Sequence, residues 1–311
     1  NHMVGVYGGS IQSNNVLISA GCNQAYCLAT MALAEAGDEI ILPVPYYFNH
    51  QMWLEVLGIK AVHLGCNMSQ GGLPEIDEAR RLIGKKTKAI VLVTPNNPTG
   101  ATYPPDLLQG FFKLCQKHGI KLIIDETYKD FLTEQPPHQL FEISDWEETL
   151  IQVYSFSKCF SLTGYRVGSV IAGENVIESA TKIMDSVAIC APRIAQDAAL
   201  YGLEHLTSWV AEKRNMLKKR RELFNKLFRV NNLGFKIISS GAYFAYVQHQ
   251  YDNKNAYQVA QNLLDKENIL SLPGTFFGPN QERFLRFAYA NITRKEITDV
   301  IDRLNVSFNK P

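Results

Sequence analysis

The chain has 311 residues, 46% of them hydrophobic and 20% charged, with a formal net charge of +1. That length and balance fit a soluble globular protein with one large core and a smaller domain, and they exclude the basic footprint of a nucleic-acid binder and any acidic or basic tail. No apolar run reaches the roughly 18 residues of a membrane span, and no signal peptide is read at the start.

Asn1-His2-Met3 reads either as residues left by cloning ahead of an initiator methionine or as the end of a helix. Beyond it, strand-like runs rich in Val, Ile and Leu occur at Val16–Ser19, Glu39–Leu42, Lys60–Leu64, Ala89–Thr94, Lys121–Ile124 and Leu150–Tyr154. Apolar residues on both faces are what strands buried in a parallel sheet require. Helical segments are expected between several of them, at Ala25–Ala36, Ile76–Ile83 and Asp106–Lys117, with Gly37-Asp38 and Gly119 as stops. This βαβ alternation predicts an α/β fold with a mostly parallel sheet flanked by helices.

The last third changes character. A long Lys- and Arg-rich helix at Thr207–Arg229 reads as a solvated face joining two domains. Short strands follow at Phe235–Ile238 and Tyr243–Val247, a helix at Asn255–Lys266, strands at Ile269–Leu272 and Arg283–Ala288, and a final helix at Arg294–Leu304. The expected division is a large domain over residues 1–205 and a smaller α+β domain over 206–311. Six cysteines, without CxxC or metal-finger spacing, read as buried thiols in a reducing compartment, which implies a cytoplasmic protein and no metal site.

Three places carry chemistry. Asp125 ends the apolar strand of Lys121-Leu-Ile-Ile-Asp-Glu-Thr-Tyr128, at the carboxyl end where open α/β sheets bind ligands. Asn97 lies in Pro95-Asn-Asn-Pro-Thr-Gly100, whose composition also suits a turn. Lys158 follows a buried strand in Tyr154-Ser-Phe-Ser-Lys158, ahead of Gly164-Tyr-Arg166-Val-Gly168. A desolvated amine has a lowered pKa, which suits Schiff-base chemistry.

Asn97-Pro-Thr-Gly100, Asp125-Glu-Thr-Tyr128, Ser155-Phe-Ser-Lys158 and Gly164-Tyr-Arg166-Val-Gly168, in that order, resemble the fold-type I pyridoxal-phosphate enzymes of the class I/II aminotransferase family. The similarity runs from about residue 16 to the C-terminus. It implies that Lys158 forms the internal aldimine with pyridoxal 5'-phosphate (PLP) and shuttles the proton. Asp125 would face the pyridine nitrogen, Asn97 and Tyr128 the ring's 3-oxygen, and Ser155 and Arg166 the phosphate. The helix start after Gly21, around Cys22 and Asn23, would offer backbone amides to the same phosphate. The loop lacks the Lys-Ser/Thr of a nucleotide P-loop and the GxGxxG of a dinucleotide fold.

Tyr47 matches the family's ring-stacking aromatic, with neighbouring Tyr46 as the other choice. Arg286, inside the apolar Phe284-Leu-Arg-Phe-Ala288, requires an anion and matches the arginine that grips a substrate α-carboxylate. Pro273-Gly-Thr-Phe-Phe-Gly278 resembles a loop at the substrate mouth. Arg193 is a candidate partner for an acidic substrate side chain or for a local carboxylate.

The implied reaction moves an amino group from an L-amino acid to a 2-oxo acid in a homodimer. A C–S lyase or decarboxylase using the same residues, and a non-catalytic PLP-binding relative, are the alternatives. Family members carry a further N-terminal segment ahead of the matching region. That segment is expected to complete the small domain, to close over substrate and to lend a tyrosine to the neighbouring subunit's phosphate site.

Overall fold

The strands form because their interiors are apolar on both faces, and in the computed structural model they assemble into two sheets. Residues 1–132, 137–231 and 233–308 are described. The first sheet holds β1 (Val16–Ser19), β2 (Glu39–Val44), β3 (Lys60–Asn67), β4 (Leu73–Pro74), β5 (Thr87–Val93), β6 (Lys121–Asp125), β7 (Leu150–Ser155) and β8 (Gly168–Ile171). Its order is β1-β8-β7-β6-β5-β2-β3-β4. The central run β3-β2-β5-β6-β7 is parallel, while β8, β1 and β4 pair antiparallel at the margins. Strand β8, just past the Arg166 motif, is an element that sequence reading does not anticipate.

Helices cover both faces. In chain order they are α1 (His2–Tyr7), α2 (Cys22–Leu33), α3 (Phe48–Val56), α4 (Ile76–Leu82), α5 (Pro105–His118), α6 (Phe156–Cys159), α7 (Glu174–Val187) and α8 (Arg193–His205). Gly119 ends α5 as expected: its φ of 63° lets its amide reach back to Cys115 and Gln116. Helix α2 stops earlier than expected, at Leu33, with Ala34 as its cap, so Gly37 serves the following turn instead. Two apolar clusters fill the faces, one built on Phe111, Phe112, Phe141 and Trp146, the other on Tyr26, Ile40, Leu54 and Val153.

Helix α9 (Thr207–Val230) leads to the second sheet, β9 (Phe235–Gly241), β10 (Phe244–His249), β11 (Leu272–Pro273) and β12 (Phe284–Ala288), in the order β11-β12-β10-β9 and wholly antiparallel. Helices α10 (Ala256–Glu267) and α11 (Arg294–Phe308) pack on it through a cluster of Phe224, Phe228, Val247, Leu285 and Ile301. The run 269–272, read as a strand, contributes only its last residue to β11; Ser271 and Ile269 are buried, but the ladder begins at Leu272. The sheets meet where the Asn97 loop runs under β9, with Ser239 Oγ donating to the Thr99 carbonyl at 2.8 Å.

Candidate active site

Parallel strands deliver their carboxyl ends to one side of a sheet, and here the ends of β5, β6 and β7 open into a cavity of about 480 Å³. Cys22, Asn23, Tyr47, Asn97, Asp125, Tyr128, Ser155, Lys158, Arg166 and Arg286 all line it. Gly21 is the remaining predicted site residue. It caps α2 at a φ of 86°, and a Cβ there would run into the Arg166 guanidinium. Gly168 is needed for a similar reason, since a Cβ would lie 2.6 Å from the Cys22 amide nitrogen and the Tyr154 carbonyl.

Asp125 is buried at the tip of β6, accepting from the Thr127 amide at 2.9 Å and lying 3.3 Å from His50 Nε2. Burial pushes its carboxyl up, but hydrogen bonding and charge from His50, with the bonds from Thr127, outweigh this and hold it below the ordinary aspartate value. The residue is thus an anion facing the cavity. His50 stacks on Tyr26 with ring centroids 4.1 Å apart, which fixes the imidazole behind the carboxylate.

Lys158 sits on the single turn α6, where Ser155 Oγ accepts the Ser157 amide at 3.2 Å. Burial, then the guanidiniums of Arg166 and Arg286, lower its pKa below that of a free lysine. Arg166 takes a left-handed φ of 58° and donates to the Ser157 hydroxyl at 3.3 Å and the Thr163 carbonyl at 3.0 Å. Its guanidinium lies at the start of α2, so a charged fork and the positive end of a helix share one place.

Arg286 extends from β12 and donates through Nη1 to Asn97 Oδ1 at 2.8 Å. Phe244 and Phe277 flank its guanidinium at 4.6 and 5.1 Å. Its Nε is buried without a hydrogen-bond partner, and no carboxylate pairs with it among the described residues. Burial lowers its pKa, with Tyr128 and Tyr47 pulling the other way. Burial raises the Tyr128 phenol, and Tyr47 and Asp125 add to the effect.

Tyr47 is the aromatic at the cavity; Tyr46 turns away to pack on His63. Of the loop Pro273–Gly278, Phe277 supports Arg286 while the neighbouring Leu272 reaches the lining. Arg193 is outside the cavity, pairing with Asp197 one turn along α8 at 2.8 Å. His50, Phe48, Thr127, Ser157, Tyr243 and Asn291 also line the cavity, and sequence reading does not single them out. For His50 a signal existed: it stands three residues after Tyr47, on the same face of a first helical turn.

Comparison with known proteins agrees with this geometry. The family model described as "Aminotransferase class I and II" matches residues 6–304. An aspartate aminotransferase of Pyrococcus horikoshii is 31% identical over 302 residues, covering 96% of this chain and 76% of that one. An aromatic aminotransferase of Arabidopsis thaliana is 28% identical, covering 94% and 75%. The crystal structure of a Thermotoga maritima aspartate aminotransferase superposes with a TM-score of 0.89 at 27% identity, covering 98% and 78%. The chain belongs to the class I and II aminotransferases, the fold-type I enzymes that work with pyridoxal phosphate.

Proposed function

We propose that this aminotransferase moves an amino group from an L-amino acid to a 2-oxo acid, with Lys158 as the amine that bonds PLP and moves the proton. The observation that carries the reading is the convergence of an anionic Asp125, a Lys158 amine of lowered pKa and two guanidiniums, Arg166 and Arg286, that form no ion pair among the described residues, on one cavity. The donor set fits the cofactor. Arg166 and the amides at the start of α2 suit a phosphate, Asp125 a protonated ring nitrogen, and Asn97 and Tyr128 a phenolic oxygen.

When bound, PLP supplies an electron sink for the bonds to the substrate's α-carbon. Asp125 would hold a proton on the ring nitrogen of the bound cofactor, because its own carboxyl stays ionised beside His50. Tyr47, which lines the cavity, would pack against the bound ring. Arg286 takes the substrate carboxylate with Nε and one Nη, leaving its other Nη on Asn97. Lys158 Nζ, neutral more readily than a free lysine, takes the α-proton as general base and returns it as acid.

Three further assignments belong to this reading. Residues 1–205 and 206–311 are proposed as the two domains, in keeping with the separate apolar cluster built from Phe224 onward. A homodimer is supported by the exposed Val187 at the end of α7, Ile189 in the segment that follows it, and Ile194, Leu200 and Tyr201 on α8. Six free cysteines support a reducing, cytoplasmic setting.

The test is the absorbance of protein with added PLP, for the wild type and Lys158→Ala. A visible-edge band that needs Lys158, and that an amino acid bleaches with release of a 2-oxo acid, is the expected result. Release of ammonia or thiol instead would mean an eliminating enzyme, and a band indifferent to Lys158→Ala would overturn the assignment.

A further inference from the structure

Lys158 rides on a helix of one turn, which cannot hold itself, because a first turn fixes several dihedrals for very few hydrogen bonds. Ser155 caps its beginning. Its end is held differently: the buried Cys159 Sγ lies 2.9 Å from the Tyr154 hydroxyl and 3.6 Å from the Phe156 carbonyl. The same hydroxyl donates to Asp130 Oδ2 at 2.6 Å. A phenol has one proton and the carboxylate is the stronger acceptor, so the hydroxyl is drawn to Asp130, while the thiol packs against the same hydroxyl and donates its own proton to the Phe156 carbonyl. Burial, then Asp130, push the Cys159 thiol up to about 12, which keeps that proton in place.

Asp130 is itself anchored. Its Oδ1 lies 3.2 Å from the buried Lys129 Nζ, which sits 4.7 Å over the Tyr154 ring, and its carbonyl accepts from Arg214 Nε of α9 at 2.6 Å. It belongs to the turn Lys129–Phe131 that directly follows Asp125 and Tyr128. Tyr154 therefore stands between two segments that reach the cavity, one carrying Asp125 and Tyr128, the other Lys158, while lying outside the cavity lining itself.

We propose that Tyr154 is a positioning residue whose hydroxyl, shared between Asp130 and Cys159, fixes the Lys158 amine relative to Asp125 and Tyr128. The proposal rests on Lys158 being the amine that bonds PLP, and it acts through the backbone of α6. Without the hydroxyl, the turn is free to move Lys158 toward water and away from Arg166 and Arg286.

The experiment uses the full chain in wild-type, Tyr154→Phe, Cys159→Ala and Cys159→Ser forms. Stripped of cofactor, each is labelled with an amine-acylating reagent across pH, and the Lys158 peptide is quantified by mass spectrometry. Loaded with PLP, each is assayed for kcat and KM. Tyr154→Phe is expected to raise the labelling midpoint of Lys158 by about half a pH unit or more. It should also lower kcat by about fivefold to tenfold, with KM changed less than about twofold. Cys159→Ala should move both readouts the same way, and Cys159→Ser should recover part of the change.

Folded Tyr154→Phe and Cys159→Ala proteins with an unchanged midpoint and unchanged kcat would overturn the proposal, even if both melted earlier. If Tyr154→Phe does not fold, Cys159→Ala against Cys159→Ser decides. Failure of the functional reading would show separately, as a PLP band that survives Lys158→Ala, while the labelling midpoint continues to report on the tie.

Discussion

The tips of β6 and β7 have two faces that solve opposite problems. Successive side chains of a strand point to opposite sides, so Asp125 and Ser155 reach the cavity while Glu126, Gln152 and Tyr154 reach the back. On the back, charge is met from within: Glu126 Oε2 accepts from the Tyr7 hydroxyl at 2.6 Å and from Gln152, with His138 Nε2 at 3.4 Å, and Asp130 meets Lys129 and Tyr154. On the cavity side, Lys158, Arg166 and Arg286 form no ion pair among the described residues. A cation taken from water without a partner is costly, so the back face carries its charges in pairs made within the fold, while the front holds cations that an anionic ligand would suit.

Arg286 breaks the comparison most sharply. Arg286→Ala should lower kcat/KM for amino-acid substrates by about a hundredfold, because it removes one half of a desolvated charge pair. Arg286→Lys should recover little of this, since a point charge cannot supply the fork. PLP uptake, read from the absorbance band, should be nearly unchanged in both. An equal loss of cofactor and substrate affinity would mean that Arg286 serves the cavity as a whole rather than the carboxylate.

On the back face the expected loss is of stability. Glu126→Gln should cost about 1–3 kcal/mol in denaturant unfolding, because a buried acceptor that collects several donors is weakened. Burial pushes the Glu126 carboxyl up, but the pull of His138 and the bonds from Tyr7 and Gln152 prevail and set it below the ordinary 4.5. The folded chain then binds fewer protons than the unfolded one as pH falls past that value. The stabilisation is complete above 4.5 and is lost as pH drops through the lower folded value. Wild type should therefore lose stability on acidification more steeply than Glu126→Gln, and parallel acid limbs would show that the carboxyl carries no such linkage.

The sequence discloses the front face more readily than the back. Buried parallel strands are legible because both faces are apolar, and the four ordered motifs lie at their ends, so the elements that gather about the cavity can be named in advance. Strand β8 is less visible, being four residues long and opening on a glycine, Gly168, that is there for clearance rather than for turning. Helix α7 carries Val176, Ile177, Ala180 and Met184 at helical spacing, yet the segment has no motif to draw the eye. The spacing from Tyr47 puts His50 on the cavity side, but its partner Asp125 is 75 residues away and nothing local to the histidine names it. Tyr154 and Cys159 are five residues apart across a strand-to-helix corner, a spacing that neither period of two nor of 3.6 brings together.

A last pair of arginines sharpens the comparison at its weak end. Arg193 and Arg286 are equal in formal charge, but the Arg193 side chain is 86% exposed and already meets Asp197 along α8. Exposed i,i+4 pairs contribute about 0.3–0.5 kcal/mol, screened further by salt. Arg193→Ala should therefore leave the unfolding midpoint nearly unchanged and leave KM for acidic and aromatic amino acids in the same ratio. A selective rise in KM for the acidic substrate would instead give Arg193 a role in the proposed homodimer, as a charge idle in its own chain that acts on the site of another.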